Sequence, residues 1–420
     1  MPDPNDTSRA GSAPAVGPAA VSSAVLSNRA ITVLAVASAL SVANGYYIQP
    51  LLVVIAEAFA VPEHLVGFLP AMTQVGLACG VAFLLPLGDA VSARTLLMAV
   101  IPLQVVALLL FSASEHGVVL AVACLLIGIF GITPYVLPPY ASLHVPVERV
   151  GHVTGVLTRG ILVGILLART VAGVVGTHLG WRAVYWIAAA DMVCVLIALR
   201  HFVRAVPKVQ RETSESYGDL LLSLVHLVRT VPELRTAALC QAIGFGSFNV
   251  FWLGASLYLQ SPQFGWTPQS VGLVALVGAI AALAAPLFGR AADRMGPRVT
   301  RLAALASMGL AWLMLAGFRE HLAGMGIGLV LLEIGAAVLD ISNRTILYGL
   351  NAEIRTRLNA IYTIAMLGGG AIMSVLTGFC WSVGGWTAVC LLGLLPTIGS
   401  IVLAVARMRH EPNHRFRIKR

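Results

Sequence analysis

Charged side chains are scarce in this chain. Asp, Glu, Lys and Arg make up 11% of its 420 residues against 58% for the hydrophobic types, and the mean hydropathy is +0.88. A soluble domain carries about a quarter charged residues, and a chain this poor in them cannot cover its apolar surface with polar groups. An integral membrane protein is expected. Paired cysteines are missing too: Cys79, Cys124, Cys194, Cys240, Cys380 and Cys390 all fall inside apolar stretches. With no C-x-x-C pair and no His or Cys spacing suited to zinc, they read as small core residues, and neither a metal nor a cofactor is implied. A nucleotide-binding loop and a Ser/His/Asp arrangement are likewise lacking, which leaves no machinery for an enzyme. Residues 1–28, rich in Ala, Ser, Pro and Gly, have a single basic residue, Arg9. They lack the charged start of a secretory signal and read as a disordered tail.

What the chain has in quantity is apolar runs of spanning length. A helix needs about 20 apolar residues to cross a bilayer core of ~30 Å. Twelve runs fit, near 30–56, 64–86, 95–113, 117–141, 151–176, 182–200, 236–260, 269–288, 300–318, 322–348, 356–382 and 385–406. The fold class is therefore all-α and integral to the membrane. Lys and Arg collect on the cytoplasmic side of short loops. With both termini cytoplasmic, that side holds Arg94, Arg149, Arg200 to Arg211, Arg229, Arg235, Arg290 to Arg301, Arg355, Arg357 and the tail, whereas the outer loops hold Arg182 and Arg319. The net charge of +9 is then a signal of topology and of contact with anionic lipid, not of nucleic-acid binding.

One long hydrophilic stretch, 204–235, divides the chain nearly in half. The organisation reads as a cytoplasmic tail (1–28), an N-terminal bundle of six helices (29–203), a cytoplasmic linker (204–235), a C-terminal bundle of six (236–407) and a basic tail (408–420). The halves repeat at an offset of 204 to 205 residues: "LGWRAV" from 179 aligns with "GGWTAV" from 384, and "GDAVSAR" from 88 with "ADRMGPR" from 292. The loop "GRAADRMGPR" places Gly289, Asp293, Arg294, Gly296 and Arg298 in register with the G-x-x-x-D-R-x-G-R-R signature of the major facilitator superfamily. Its copy after span two keeps Asp89 and Arg94 without the leading glycine.

The chain thus resembles that superfamily, in which two parallel six-helix repeats are related by an axis along the membrane normal. The stretches "NGYYIQPLLVVIAEAF", "ILLARTVAGVVGTHLGWRAVYWIAAA" and "DISNRTILYGLNAEIRTRLNAIYTIAMLGGG" are similar to a group of bacterial transporters of the superfamily described only as efflux proteins or as uncharacterised permeases, a resemblance that leaves the substrate open. The resemblance implies a conformational latch at the signature loops, since an Asp and an Arg there form charge-assisted bonds between helix ends; an ordinary solvated loop is the other reading. It also implies that helices one, four, seven and ten line the cavity. In this chain those carry Tyr46, Tyr47 and Gln49; Tyr135, Pro138, Pro139 and Tyr140; Gln241, Asn249, Phe251 and Trp252; and Glu333. Each aromatic serves equally for helix packing or for binding. Three prolines, Pro134, Pro138 and Pro139, are expected to bend span four.

Span five places Arg169 in hydrocarbon. Gly160, Gly164, Ala168, Ala172 and Gly176 recur every fourth residue as a seam for close helix packing, while Thr158, Arg159, Arg169, Thr170, Gly155 and Gly173 take the other side. The spacing resembles an antiporter motif, G-x8-G-x3-G-P-x2-G-G, with Arg169 where the motif has its helix-bending proline, a departure that weakens the antiporter inference. An arginine at such depth either faces a partner or a wet cavity, or snorkels to the headgroups, about 10 Å away. In a cavity it would bind substrate or pair with an acid, Asp191 in span six being the candidate; Arg159 lies deeper, with a less definite role. In span ten, Glu333, Asp340, Arg344 and Asn351 lie within about 20° of one line. Asp340 and Arg344 stand at i, i+4 and can pair. Glu333, near mid-membrane, has no close partner on its own helix. A proton carrier needs a carboxyl that exchanges its proton away from bulk water, and Glu333 and Asp340 are the candidates; a Glu333 held by a fixed neighbour is the alternative.

The expected function is a secondary transporter of the bacterial inner membrane, exporting a small organic molecule in exchange for protons, as a monomer. Its partners are then a small-molecule substrate, protons and the lipid bilayer. An H⁺-coupled uptake symporter or a uniporter, possible for an anionic solute, is the alternative, and a non-transporting membrane sensor a remote one. Tyr47, Gln49, Tyr135, Arg169, Asn249, Trp252 and Glu333 are the substrate-site candidates; Asp89, Arg94, Arg159, Asp191, Asp293, Arg294, Arg298 and Arg344 are the candidates for charge pairs and gates.

Overall fold

The computed structural model describes residues 26–203, 217–278, 295–350 and 354–410. The helices of the first half are α1 (Asn28–Ala43), α2 (Ile48–Ala58), α3 (Phe68–Cys79), α4 (Leu87–Ala90), α5 (Ala93–Ser112), α6 (Gly117–Phe130), α7 (Thr133–Leu143), α8 (Val147–Leu179) and α9 (Trp181–Phe202). After α10 (Tyr217–Thr230) come α11 (Pro232–Leu259), α12 (Pro268–Gly278), α13 (Pro297–Gly317), α14 (Leu322–Tyr348) and α15 (Arg355–His410). No strand occurs among the described residues. Helix is the expected solution in hydrocarbon, because each helix satisfies its own backbone polar groups.

Local chemistry sets the ends. Ser27 caps α1 and Ser92 caps α5, each side chain accepting a backbone N–H three residues on. Pro134, Pro232 and Pro297 occupy the first turns of α7, α11 and α13, where a missing N–H costs nothing. Among the described residues, ten stretches are long and apolar enough to span. The last, α15, supplies two spans, because it turns at Gly384 and Gly385, the latter at φ 55, a left-handed conformation that glycine adopts without strain. With α12 as the start of span eight, all twelve spans are represented; residues 279–288 of that span lie outside the described residues.

The spans are less uniform than the hydropathy pattern implies. Span one is two helices. Pro50 has no N–H to offer the carbonyl of Tyr46, which accepts from the Gln49 N–H at 3.2 Å instead, and the chain turns through residues 44–47. Span four breaks at Gly131 and Ile132, just ahead of Pro134. Span two runs into a π-turn at Gly80–Leu84. Part of the hydrophilic stretch between the halves is helical as α10, and α11 begins at Pro232, four residues ahead of the expected start.

Buried apolar side chains form two large clusters, one drawn from residues 26–203 with Leu253 and Leu257, the other from 240–404. These are the cores of the two six-helix bundles. On α8 the small-residue seam packs against span one: a Cβ on Gly160 would meet Ala35, one on Gly164 would meet Ala39, and one on Gly176 would meet Leu51. The halves meet toward the face that carries loops 59–62 and 260–267, here called the far face, opposite the chain termini. There Thr170 Oγ1 donates to the Gly272 carbonyl at 3.0 Å, Gln269 N–H to Thr177 Oγ1 at 3.0 Å, and Gln260 Nε2 to the Pro50 carbonyl at 3.1 Å. Gly67 lies against the backbone of Ser374 and Gly378 in α15. Toward the termini face, by contrast, a Cβ on Gly151 or Gly155 of α8 would meet nothing within 4 Å.

Candidate functional site

Arg169 is 2% exposed, so its side chain turns inward and does not reach the headgroups. Its Nε donates to Gln49 Oε1 at 2.6 Å and its Nη1 to the Ile165 carbonyl at 3.4 Å. Three rings surround the guanidinium: Tyr46, Phe248 and Trp252, with centroids at 5.0, 5.1 and 4.1 Å. A charged hydrogen bond contributes about 1.5–3 kcal/mol and a desolvated cation–π contact about 2 kcal/mol. Together these offset the ~2.5–3.5 kcal/mol cost of placing an arginine at this depth.

The network crosses from one bundle to the other. Gln49, bonded to Arg169, donates through Nε2 to Asn249 Oδ1 on α11 at 3.4 Å, and Asn249 Nδ2 donates to the Phe245 carbonyl at 2.9 Å. Trp252, over the guanidinium, donates its indole N–H to Glu333 Oε1 on α14 at 3.1 Å. Thus α2 and α8 of the first half join α11 and α14 of the second through one buried chain of polar groups. Its two charges, Arg169 and Glu333, sit in different bundles, and no ion pair joins them. Arg169 Nη2 is buried with no hydrogen-bond partner among the described residues, and the bond from Trp252 is the one that Glu333 makes there.

Of the candidates for the substrate site, Gln49, Arg169, Asn249, Trp252 and Glu333 come together. Tyr47 does not. It packs edge-on against Tyr185 in the first core, 6.4 Å between centroids, and its neighbour Tyr46 takes the place beside Arg169. The turn at 44–47 sends the two side chains in different directions. Tyr135 lines an adjoining cavity. Phe248, absent from the candidates, had a signal in the sequence: with Phe245 and Trp252 it recurs at i, i+3 and i+7 on one face of α11.

Asp191 is half-buried on α9 and makes no ion pair with Arg169. Arg159 is exposed on the termini-side half of α8. Asp340 is held by Arg344, 2.9 Å away, and accepts from the Tyr362 hydroxyl at 2.8 Å; Arg344 also donates to Asn359 and lies over the Tyr362 ring. This group ties α14 to α15. Arg298 pairs with Glu233 at 3.6 Å, linking the starts of α13 and α11. Arg94 is half-buried at the start of α5, and Asp89 lies on α4. Asp293 and Arg294, on which the expected latch rests, fall outside the described residues.

Two helical bundles closed against each other at one face, with buried polar groups bridging them at mid-depth, define a multi-pass membrane transporter. A family model described as Major Facilitator Superfamily matches residues 34–261 and 237–420. The chain belongs to the major facilitator superfamily, whose members are transporters and not enzymes. It is 33% identical over 368 residues, 88% of its length, to the uncharacterized transporter YgaY of Escherichia coli O157:H7, covering 93% of that protein. A stretch of 164 residues, 39% of the chain, is 30% identical to 41% of the chloramphenicol resistance protein of Streptomyces lividans. Among solved structures, the nucleoside transporter NupG superposes with a TM-score of 0.72 at 14% identity, over 90% of this chain and 99% of that one; at that identity the likeness is of fold.

Proposed function

We propose that this transporter exports a small organic molecule in exchange for protons, alternating between two states in which the site opens to one face and then the other. The observation that carries the reading is the buried chain Arg169–Gln49–Asn249, with Trp252 and Glu333 beside it, which spans both bundles. Rocking the halves must stretch or break these contacts, so anything that alters them alters the equilibrium between states. Glu333 is the proton carrier of the proposal: gaining a proton removes its charge from the neighbourhood of Arg169 and changes what Trp252 can bond. Asp340, the other candidate, already has Arg344 and Tyr362. Aromatic rings and amides around one cation and one carboxyl suit an amphipathic solute. The partial match to a chloramphenicol resistance protein supports export, and the basic residues of the termini face support a bacterial inner membrane with both termini in the cytoplasm.

Uptake is the second reading. The unpartnered Nη2 of Arg169 favours it, because a guanidinium with an N–H to spare can take a carboxylate or carbonyl. A melting-temperature screen of the purified protein identifies a solute that stabilises it, and vesicles with imposed pH gradients of either sign then give direction. Solute moving against the proton flow supports export, and solute moving with it supports uptake. Flux indifferent to both gradients would overturn proton coupling.

A further inference from the structure

A second polar feature, drawn mostly from the first bundle, is left unused by the Arg169 network. A cavity of about 50 Å³ lies between span one, α3, α5, α6 and α7 of the first half and α11 and α15 of the second, and its lining includes Ser41, Tyr46, Gln74, Gln104, Tyr135 and Phe245. Ser41, Gln74 and Gln104 are 2%, 6% and 0% exposed. Ser41 Oγ, Gln74 Oε1 and both polar atoms of Gln104 have no hydrogen-bond partner among the described residues, and neither do Asn44 Nδ2 and Thr133 Oγ1 close by in the chain.

Buried polar groups are normally paired, and an unpaired one is costly. Four such atoms, on side chains from three different helices that line one cavity, are not explained by packing, since leucine or methionine would fill the same space without that cost. Among the described residues the lining contains no charged side chain. It offers amide donors, amide acceptors and hydroxyls, which match a neutral group that both donates and accepts. The cavity also adjoins the Arg169 network: Tyr46 belongs to both, and the Phe245 carbonyl accepts from Asn249.

We propose that this cavity receives the uncharged head of the substrate, an amide or a pair of hydroxyls, while the rest of the molecule lies against Arg169 and its rings. The proposal deepens the exporter reading and rests on it.

The test uses the full chain in lipid nanodiscs and a panel of aryl primary amides and aryl diols. Each is paired with the isosteric ester or ether that lacks the N–H or O–H, and with the isosteric carboxylate. The amides and diols are expected to bind at least tenfold more tightly than their esters and ethers, because a site built for hydrogen bonds rejects analogues that lack them. Gln104→Leu and Gln74→Leu should each erase that preference; the carboxylate, whose charge the uncharged lining does not match, should bind the wild type more weakly than the amide. Equal binding across the pairs, or a preference that survives either variant, overturns the proposal. Stability supplies the second readout: Gln104→Met should melt at or above the wild-type temperature, since no partner is lost. A lower melting temperature, whatever the panel shows, marks the amide as part of the fold's own bonding and overturns the proposal. The two readings fail separately. Wild-type flux indifferent to pH gradients removes the exporter, whereas the panel decides the cavity by binding alone.

Discussion

Gly67→Val tests whether the far face closes by backbone contact. A Cβ built on Gly67 would lie 1.9 Å from the Ser374 carbonyl oxygen and 2.8 Å from its carbon, where ordinary contact begins at 3.4 Å. The obstacle is backbone, so the side chain cannot be accommodated by a rotamer change, and α3 must move away from α15 by roughly 1.5 Å, the difference between the first and last of those distances. Overpacking of this kind costs about 1–3 kcal/mol. If the cost falls on the closed state alone, the open fraction rises by about 5-fold to 150-fold, at 1.4 kcal/mol per factor of ten. The assay is labelling of Thr170→Cys by a polar maleimide, in a protein whose six native cysteines have been replaced. Thr170 is half-buried and its hydroxyl bonds to Gly272 across the seam between the halves, so its labelling rate follows opening. Gly155→Ala is the control, since a Cβ there meets nothing within 4 Å. An unchanged labelling rate in Gly67→Val, or an equal acceleration in Gly155→Ala, would refute the reasoning.

Three further outcomes are expected. Arg169→Lys should keep part of the transport activity and Arg169→Met should lose it by tenfold or more, because lysine keeps the charge among the rings but not the guanidinium fork that reaches Gln49; a fully active Met variant in vesicle flux would remove Arg169 from the site. Glu333→Gln should still bind the solute, by melting-temperature shift, while its flux no longer responds to a pH gradient; retained coupling would exclude Glu333 as carrier. Asp340→Asn should lower the melting temperature through a loss of about 1 kcal/mol, the usual value of a charged hydrogen bond discounted for screening, because the paired side chains are 27% and 33% exposed. Its proton coupling should survive; coupling lost at unchanged stability would transfer the carrier role to Asp340.

Much of the architecture is legible in the chain itself. Hydropathy runs mark the spans, because a bilayer imposes one length and one polarity on each of them, and the every-fourth recurrence from Gly160 to Gly176 marks the face of α8 that meets α1 and α2. The breaks in spans one and four are written as Gly45 with Pro50 and Gly131 with Pro134, signals that a hydropathy window averages away. The site was less readable. Tyr46 and Tyr47 are adjacent and chemically alike, and the pattern contains nothing to say which one faces Arg169. Gln74 and Gln104 stand out as amides in apolar spans, yet they are 30 residues apart in the chain, and their convergence is a matter of how α3 and α5 pack.

The sequence by itself determined that the protein lives in a membrane, that it consists of two related sets of six spans, and that Arg169 and Glu333 are charges at depth. Each of these follows from composition or from spacing along a single helix. Only the tertiary structure decided that Arg169 meets Gln49 and three rings, with neither Asp191 nor the headgroups as its partner, and that three side chains with polar atoms unpaired among the described residues line a cavity beside it. The physical reason is distance along the chain: Gln49 and Arg169 are 120 residues apart and Gln49 and Asn249 are 200 apart, so their contact depends on where whole helices dock, and helix periodicity carries no record of that.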